Sequence, residues 1–187
     1  MSQLKKIVLV RHGKPESAVN SWVSAGGFAR WVRQYEKSKL CSSTRAPLRL
    51  QPAEKAVLIV SSPSVRAVQS ALLGLGKQPD LQWRELEEMA LPRYRMPGRL
   101  PAYVWTCISR VAWMLGLKSR AESYRQAKRR AARAAVRLHK LADSHDHILV
   151  FGHGMMSLHI GYVLRAKGWR GRVRPLGYWG TICLTRD

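Results

Sequence analysis

The sequence predicts an α/β fold, a three-layer αβα sandwich with a mostly parallel sheet and a helical insertion over the carboxyl-terminal edge of its strands. Continuous apolar runs, typical of strands covered on both faces, occur at Ile7–Val10, Ala56–Val60, His147–Phe151 and, more weakly, Thr181–Leu184. Patterns with helical spacing separate these runs. Strands that alternate with helices form βαβ units, and such units build parallel sheets.

Three helices are predicted between the strands, at Phe28–Lys39, Ser64–Leu75 and Met155–Lys167. The first has apolar residues close to helical spacing. The second follows Pro63, a residue suited to a first helical turn, and the third follows Gly154. A further short strand is expected at Asp80–Trp83, so the sheet gains one more member.

The stretch from Arg93 to Ser144 differs because two helical patterns follow each other without a strand between them. We therefore expect residues 1–187 to form a single domain with a helical insertion at about 93–144. Trp105 and Trp113, eight residues apart, share one face of the first inserted helix. They either pack in the core or cover a pocket, or else this amphipathic, basic helix contacts a membrane surface. The second helix has a buried stripe at Tyr124, Ala127, Ala131, Ala134, Leu138 and Leu141.

The charge balance is unusual, with 33 Lys and Arg against 11 Asp and Glu, a formal net charge of +22. Such a chain attracts anions over a long range at low salt. Phosphorylated metabolites, nucleic acid and acidic membrane surfaces are all compatible partners. The exposed face of the second inserted helix is strongly basic and is either solvated or a polyanion-binding surface.

The cysteines and the apolar segments indicate in which cellular compartment the protein is expected. Cys41, Cys107 and Cys183 lie far apart without a disulfide framework, which indicates a reducing compartment and a role in packing. The apolar run near the start is too short for a secretory signal. The longest apolar stretch, Pro101–Leu117, contains Arg110 and falls short of a membrane span. We therefore expect a cytoplasmic protein.

Three of the predicted strands end in residues suited to phosphate chemistry. Because the carboxyl ends of parallel strands meet at one edge of a sheet, we expect these residues to lie close together. A neutral imidazole is a good nucleophile near pH 7, and guanidinium groups bind the oxygens of a phosphoryl group. Glycine beside each histidine lets the backbone approach a phosphate. The residues are Arg11, His12 and Gly13 after the first run, Arg66 after the second, and His153 and Gly154 after the third.

Phosphoryl transfer to an imidazole also needs a proton for the leaving group. A carboxylic acid can supply it. The stretch after the predicted strand Asp80–Trp83 offers Glu85, Glu87 and Glu88 for this role.

In their order along the chain, "VLVRHGKP", "SSPSVRAVQSA" and "VFGHGMM" resemble the motifs of the histidine phosphatase superfamily, which includes the cofactor-dependent phosphoglycerate mutases. The resemblance implies that His12 is the nucleophile that becomes phosphorylated. Arg11 and Arg66 would bind the phosphate, and His153, next to Gly154, would complete the pocket. The family acid follows a leucine in a leucine-x-glutamate context, which points to Glu88 and leaves Glu85 and Glu87 as alternatives.

The chain departs from the family pattern at several positions. Lys14 and Pro15 follow the arginine-histidine-glycine motif, where many members have an acidic or small polar residue. Lys14 either suits a substrate with a second anionic group or is simply solvated. The glycine usual after the acid is replaced by the stretch Ala90–Pro92, and Ala121 replaces the glycine of a glycine-glutamate-serine helix start.

The remaining histidines do not predict a metal site. His145 and His147 alternate at a strand entrance, but no third ligand with metal-like spacing follows. They are interpreted, with His139 and His159, as structural residues. We expect neither a metal ion nor a cofactor to take part.

The sequence thus predicts a metal-independent phosphatase that hydrolyses a phosphorylated small molecule through a phosphohistidine. A mutase that returns the phosphoryl group to its substrate is the alternative enzyme, although the family's mutases are typically longer. A catalytically degenerate anion-binding protein is the alternative outside enzymes, and its basic surface would hold nucleic acid or an anionic membrane. Neither of these partners is favoured, and the oligomeric state is not predicted.

Overall fold

The protein is described by a computed structural model that covers residues 4–47, 57–175 and 177–187. In the order of the chain, its elements are β1 (Lys5–Arg11), β2 (Trp22–Ser24), α1 (Ala25–Lys37), β3 (Val57–Ser61), α2 (Val65–Leu75), β4 (Leu81–Gln82), a 3₁₀ turn (Arg84–Leu86), β5 (Arg99–Pro101), α3 (Ala102–Met114), α4 (Tyr124–Leu141), β6 (His147–Gly152), α5 (Gly154–Ala166) and β7 (Thr181–Arg186).

Five strands form the central sheet, in the order β4-β3-β6-β1-β7. The first four run parallel to one another, whereas β7 is antiparallel to β1. In the register, Val8 pairs with Leu149 and Leu58 with Ile148. The mostly parallel sheet predicted from the apolar runs is confirmed. Ala56, the first residue of one predicted strand, lies outside the described residues.

Helices cover both faces of the sheet, and successive strand residues alternate between the two sides. Ile7 and Leu9 of β1 pack with α4 and α5 in one hydrophobic cluster. Val10 of β1 packs on the opposite face with Ala71 of α2 and Leu149 of β6. Because both faces are buried, the strands carry continuous rather than alternating apolar residues.

The inserted stretch contains the two predicted helices, which lie in different places. Helix α3 packs against α1 in a third hydrophobic cluster, and it lines the cavity described below. Helix α4 packs against α5 on one face of the sheet. The expectation that the insertion covers a pocket therefore holds for α3, while α4 belongs to a helical layer. Trp105 and Trp113 are both 1% exposed, so they are core residues and not a membrane contact.

The predicted stripe of α4 is confirmed in its centre, where Ala127, Ala131, Ala134 and Leu138 are buried. Ser123 caps the start of the helix. Its Oγ accepts a hydrogen bond from the backbone N–H of Gln126, whose side chain accepts one from the backbone N–H of Ser123. This reciprocal arrangement is a capping box, and it fixes where α4 begins.

A second, two-stranded sheet was not predicted. It pairs β2 with β5 in antiparallel register, with Val23 opposite Leu100. These strands have only three residues each, too few to show a period. Helix α1 also begins earlier than predicted, at Ala25, because Ser24 caps it by accepting from the N–H of Gly27. Gly26 and Gly27 are poor helix formers and conceal this first turn in the sequence.

The two outer strands of the central sheet differ. β4 has two residues and pairs with β3. β7 is longer, but Arg170 forms an isolated antiparallel bridge to Thr185, with hydrogen bonds of 2.7 and 2.9 Å between their backbones. A segment outside the strands therefore covers part of the free side of β7.

The packing role expected of the cysteines is wrong for two of them. Cys107 and Cys183 are exposed, and Cys41 is partly exposed. Cysteine is among the residue types most often buried, which is why spacing and residue type alone suggested packing. As for membrane insertion, the helices in the described ranges are all too short or too polar to cross a bilayer.

Candidate active site

The predicted site residues converge where β1, β3 and β6, three neighbours in the sheet, reach their carboxyl ends. The ladder continues slightly past the strands. The N–H of His12 donates to the carbonyl of Gly152 at 3.0 Å, and the N–H of Ser62 donates to the carbonyl of Phe151 at 2.9 Å. The chain segments that follow the three strands are therefore held side by side, as the sequence predicted.

The imidazole of His12 is buried, with 2% of the residue exposed. Its Nδ1 lies 2.7 Å from the carbonyl oxygen of Gly13, so this nitrogen is the one that carries the proton and donates. Its Nε2 accepts a hydrogen bond of 3.1 Å from the Nε–H of Arg66. Burial lowers the pKa of His12 well below its ordinary value, and His153 and Arg66 lower it further. The ring is thus neutral, with its lone pair on Nε2.

Arg66, in the first turn of α2, connects three parts of the site. Besides its bond to His12, its Nη1 donates to the carbonyls of Tyr35 at 3.1 Å and Glu36 at 2.7 Å. These carbonyls belong to the last turn of α1, where carbonyls lack the usual helical partners, although that of Tyr35 also accepts from the N–H of Ser38 at 3.3 Å. Burial lowers the pKa of Arg66, but arginine remains charged at every accessible pH.

His153 stands just before α5 and is 1% exposed. Its Nε2 lies 3.1 Å from the Oγ of Ser62 and 3.2 Å from the Oγ of Ser64. Its ring centroid lies 5.1 Å from that of His12, with the two rings edge to face. Burial lowers the pKa of His153 well below the ordinary value, and Arg66 and Arg11 add to this effect. Two neutral imidazoles therefore face each other.

Arg11, the last residue of β1, stacks its guanidinium on Tyr178, with the Cζ 4.5 Å from the ring centroid. Gly154 gives this side chain room, since a Cβ there would lie 3.4 Å from the Cδ and Nε of Arg11. The hydroxyls of Tyr178 and Tyr35 are 3.4 Å apart. Burial raises the pKa of Tyr178, so its hydroxyl stays protonated.

Gly13 is tightly packed in the segment that carries His12. Its N–H donates to the Oγ of Ser70 at 3.0 Å. A Cβ at this position would lie 2.8 Å from the side chains of Thr44 and Trp179. Glycine is required here because those two side chains close against the backbone beside His12.

The three glutamates that follow β4 lie in different environments. The carboxylate of Glu88 lines the cavity and accepts from the N–H groups of Met155 at 3.3 Å and Met156 at 3.1 Å, at the start of α5. Glu87 is exposed and lines the same cavity. Glu85 points elsewhere and pairs with Arg137 of α4 at 3.7 Å.

Arg130 of α4 holds the loop that carries these glutamates. Its guanidinium donates to the carbonyls of Glu85, Glu87 and Glu88 and pairs with the carboxylate of Glu122. The Oε1 of Glu122 also accepts from the N–H of Ala90 at 3.3 Å. This anchor was missed by sequence reasoning, although Glu122 belongs to the helix start that was compared with the family pattern.

A cavity of about 770 Å³ opens at this edge of the sheet. Its wall includes Arg11, Arg66, Glu88 and His153, so these predicted residues are brought together. His12 lies directly behind this wall. Lys14 is exposed and is not among the described residues that line the cavity. Sequence reasoning also missed Tyr35 and Tyr178, because an aromatic residue near a helix end or a last strand is not a signal for phosphate binding.

No metal centre is evident in the parts of the chain that the structure describes, since no three His, Cys, Asp or Glu side chains cluster as ligands there. The Nδ1–H of His145 donates to the carbonyl of Leu141 at 3.2 Å. His139 bonds to Trp169 and Arg186, and His159 bonds to Tyr124 and the carbonyl of Met155. These three histidines have structural partners.

The site combines two imidazoles, two guanidiniums and a carboxylate, and a comparison of the sequence with family models points to the same class of protein. The family model described as histidine phosphatase superfamily (branch 1) matches residues 42–177, which is more than half of the chain. The chain therefore belongs to the histidine phosphatase superfamily. The matched segment contains Arg66, Glu88 and His153 and begins after His12.

Solved structures of the same kind share the fold. A phosphoglycerate mutase from Bacillus anthracis str. Sterne aligns with a TM-score of 0.66 and 14% identity over 100% of this chain and 89% of that chain. A mycobacterial glucosyl-3-phosphoglycerate phosphatase aligns with a TM-score of 0.64 and 16% identity over 98% and 91%. An open reading frame product of Mycobacterium tuberculosis aligns with a TM-score of 0.65 and 16% identity over 96% and 90%. No curated protein matches the chain by sequence.

Proposed function

We propose that the protein is a phosphatase that hydrolyses a phosphomonoester in two steps, with His12 as the nucleophile. The observation that carries this proposal is the state of His12. Its proton is held on Nδ1 by the carbonyl of Gly13, so the lone pair of Nε2 is directed toward the guanidinium of Arg66. An imidazole in this tautomer, beside groups that bind phosphate, is an activated nucleophile.

In the first step, the Nε2 of His12 attacks phosphorus while the bond from phosphorus to the alcohol oxygen breaks. Arg66 has to exchange its hydrogen bond to His12 for one to a phosphoryl oxygen as the substrate enters. The exchange costs little free energy because the Nε–H of Arg66 has an acceptor before the substrate enters and another afterwards. The remaining bonds of Arg66 to Tyr35 and Glu36 keep the guanidinium in place.

In the proposed step, the alcohol oxygen takes a proton from Glu88. Among the three candidate glutamates, Glu88 is the one whose carboxylate both lines the cavity and is held by backbone N–H groups of α5. Glu85 is occupied by Arg137, and Glu87 is exposed. A positioned acid of this kind contributes about 10²- to 10⁴-fold to the rate.

In the second step, water attacks the phosphohistidine and Glu88 accepts a proton from it. The bond between phosphorus and Nε2 breaks, which regenerates neutral His12 and releases inorganic phosphate. Arg11 and Arg66 offset the negative charge that develops on the phosphoryl oxygens in both steps. His153, fixed by Ser62 and Ser64, supports the same group from the side of α5.

The experiment is a rapid quench with a radiolabelled phosphomonoester in the presence of EDTA. The wild-type chain is expected to carry an acid-labile, base-stable label during turnover, whereas His12→Ala carries none and releases phosphate at least about a thousandfold more slowly. His145→Ala is the matched control, since His145 lies before β6 at the opposite end of the sheet.

Two results would overturn the proposal. An unlabelled protein during turnover, or undiminished phosphate release by His12→Ala, contradicts a phosphohistidine. Isomerisation of a phosphoglycerate with a bisphosphorylated primer, without release of phosphate, identifies a mutase.

A further inference from the structure

The cavity in front of His153 has two chemically different halves. The half beside the sheet contains the charged groups that the proposed reaction uses. The other half lies between α1 and α3 and is formed by aromatic and aliphatic side chains. They come from α1, from the loop after Glu88 and from α3, and include Trp31, Val32, Met89, Leu91 and Tyr103.

Among the described lining residues, Arg110 is the cation that α3 contributes to this second half. Both terminal nitrogens of its guanidinium already donate hydrogen bonds. It donates to the carbonyls of Ala90 at 2.7 Å and Met89 at 3.0 Å. Its guanidinium also lies 5.4 Å from the ring centroid of Trp113. Arg110 therefore stabilises the loop that follows Glu88, and its charge is offset by the nearby carboxylates of Glu88 and Glu122.

Two of the remaining residues that line the cavity are acidic. Glu36 and Glu87 line the cavity and repel a second anionic group on the substrate. Lys14, which the sequence suggested for such a group, does not line it. The cavity thus has one place for an anion and a surface suited to apolar atoms beyond it.

We infer that the alcohol part of the substrate is uncharged and largely apolar, an aromatic or aliphatic group with a single phosphate. This inference rests on the proposed phosphatase activity. It excludes phosphorylated acids and bisphosphates as preferred substrates, because their second anion would meet the carboxylates of Glu36 and Glu87.

The test compares three esters of primary alcohols, so that leaving-group chemistry is similar: 2-phenylethyl phosphate, glycerol 3-phosphate and 3-phosphoglycerate. We expect kcat/KM for 2-phenylethyl phosphate to exceed that for 3-phosphoglycerate at least a hundredfold. Cys107→Lys, which places a cation on the exposed, cavity-lining face of α3, should reduce this preference at least tenfold. Cys183→Lys, on exposed β7, is the matched control and should retain it.

The two possible failures are distinguishable. A preference for 3-phosphoglycerate or glycerol 3-phosphate, with His12-dependent release, overturns the inference and leaves the phosphatase intact. Phosphate release from none of the three esters, or release that persists in His12→Ala, overturns the proposed function and the inference with it.

A separate observation concerns the outer face of α3, which carries aliphatic side chains at helical spacing. Val104 is 42% exposed, Val111 is 56% exposed, and Leu115, the residue after the helix, is 76% exposed. Met114 and Leu117 beside them are also exposed. Residues seven and four apart lie on one side of a helix, so they form a continuous apolar strip.

Positive charge is concentrated at the carboxyl end of this strip. Between Glu88 and Glu122 the chain contains six Arg and Lys and no acidic residue. Lys118 and Arg120 follow the strip directly. Tyr94 donates its hydroxyl to the carbonyl of Leu117 at 3.0 Å, which brings the flanking residues Arg93 and Arg95 to the same end of α3.

We propose that this strip binds the surface of an anionic lipid bilayer. Aliphatic side chains beside a cluster of cations match the headgroup boundary, where apolar burial and attraction to anionic lipid act together. A nucleic acid backbone offers no partner for the aliphatic groups. A second copy of this chain carries the same net charge of +22 and is repelled.

The test is co-sedimentation of the full chain with vesicles of phosphatidylcholine alone or with one quarter phosphatidylglycerol. Binding to the anionic vesicles is expected, and the double variant Val111→Ser with Leu115→Ser should weaken it at least tenfold without altering the net charge. Leu72→Ser with Leu73→Ser, exposed leucines of α2, is the control and should bind as the wild type does. Equal binding by the first variant, or binding to duplex DNA alone, would contradict the proposal, since net charge then explains all of the affinity.

Discussion

The Nε of Arg66 lies 3.1 Å from the Nε2 of His12, and both side chains are buried. This contact assigns the tautomer of His12, because an N–H donor faces Nε2 while a carbonyl faces Nδ1. It also connects the imidazole to α1, since the same guanidinium binds the last-turn carbonyls of that helix. The position of His12 is thus set by elements from three separate parts of the chain.

Replacing Arg66 by lysine tests this contact. Lysine retains the charge but cannot bind His12, Tyr35 and Glu36 together. We expect kcat/KM to fall about 10²- to 10³-fold and the free energy of unfolding to fall by about 1–3 kcal/mol, because the part-buried carbonyls of Tyr35 and Glu36 lose a charged donor. Steady-state kinetics and urea unfolding measure the two effects. Arg133→Lys on exposed α4 should show neither, and equal losses in both variants would contradict this role of Arg66.

Replacing Glu88 by glutamine tests the proton donor. For an alkyl phosphate the rate should fall about 10²- to 10⁴-fold, because the alcohol needs a proton to leave. For 4-nitrophenyl phosphate the loss should be smaller, since nitrophenolate leaves without one. Measuring kcat/KM over a series of leaving groups gives the dependence. A loss independent of the leaving group, or an equal loss in Glu85→Gln, would exclude Glu88 as the acid.

The packing beside His12 is tested by Gly13→Ala, with Gly26→Ala in α1 as the matched control. Gly13→Ala places a Cβ 2.8 Å from the side chains of Thr44 and Trp179 and should lower the free energy of unfolding by about 1–3 kcal/mol. Gly26→Ala, whose Cβ meets only the Ser24 Oγ at 4.0 Å, should raise it by up to about 1 kcal/mol, because alanine favours helix α1. Denaturant unfolding compares both. Stabilisation by Gly13→Ala would show that this packing is loose.

The two buried imidazoles make stability depend on pH. The pKa of His12 and of His153 is lowered in the folded state, from 6.5 in the unfolded chain. Below about pH 6.5 the unfolded chain takes up a proton that the folded chain does not. The free energy of unfolding should therefore decrease as the pH falls from 6.5 toward the folded pKa, by about 1.4 kcal/mol per pH unit for each histidine.

Urea unfolding at several pH values, on the wild type and on His12→Asn and His153→Asn, measures this dependence. Each substitution removes one titrating group and should flatten the slope below pH 6.5 by about 1.4 kcal/mol per pH unit. Above pH 7.5 both states hold neutral imidazoles, so the slopes should coincide. An unchanged slope in both variants would mean that the folded protein accepts protons at these rings.

Most of the central sheet and of the candidate site at its edge is predictable from the sequence. The strands are buried on both faces, so their residues form apolar runs that stand out at once, and the topology rule for parallel sheets then brings His12, Arg66 and His153 together. The same reasoning assigns Gly13 to phosphate approach, which stays a prediction, but it does not foresee the packing around this residue. Only the folded structure shows Trp179 packed against it.

What the sequence does not predict depends on contacts between distant segments. Tyr178 reaches Arg11 across nearly the whole length of the chain, and Arg130 holds the loop of Glu88 from α4. Such pairs have no local pattern. The short strands β2 and β5 escape detection for the same reason, because each gains its structure from the other. The choice among three glutamates is likewise a matter of where Arg137 and the start of α5 lie.

The two borders of the central sheet bear on how the protein behaves at high concentration. β4 offers a border of two residues, and the bridge between Arg170 and Thr185 occupies backbone groups on the free side of β7. Exposed backbone on an outer strand is where one sheet recruits another into aggregates. One edge strand is short and the other is partly covered by a segment of the same chain. Both features protect this apolar sheet from edge-to-edge association.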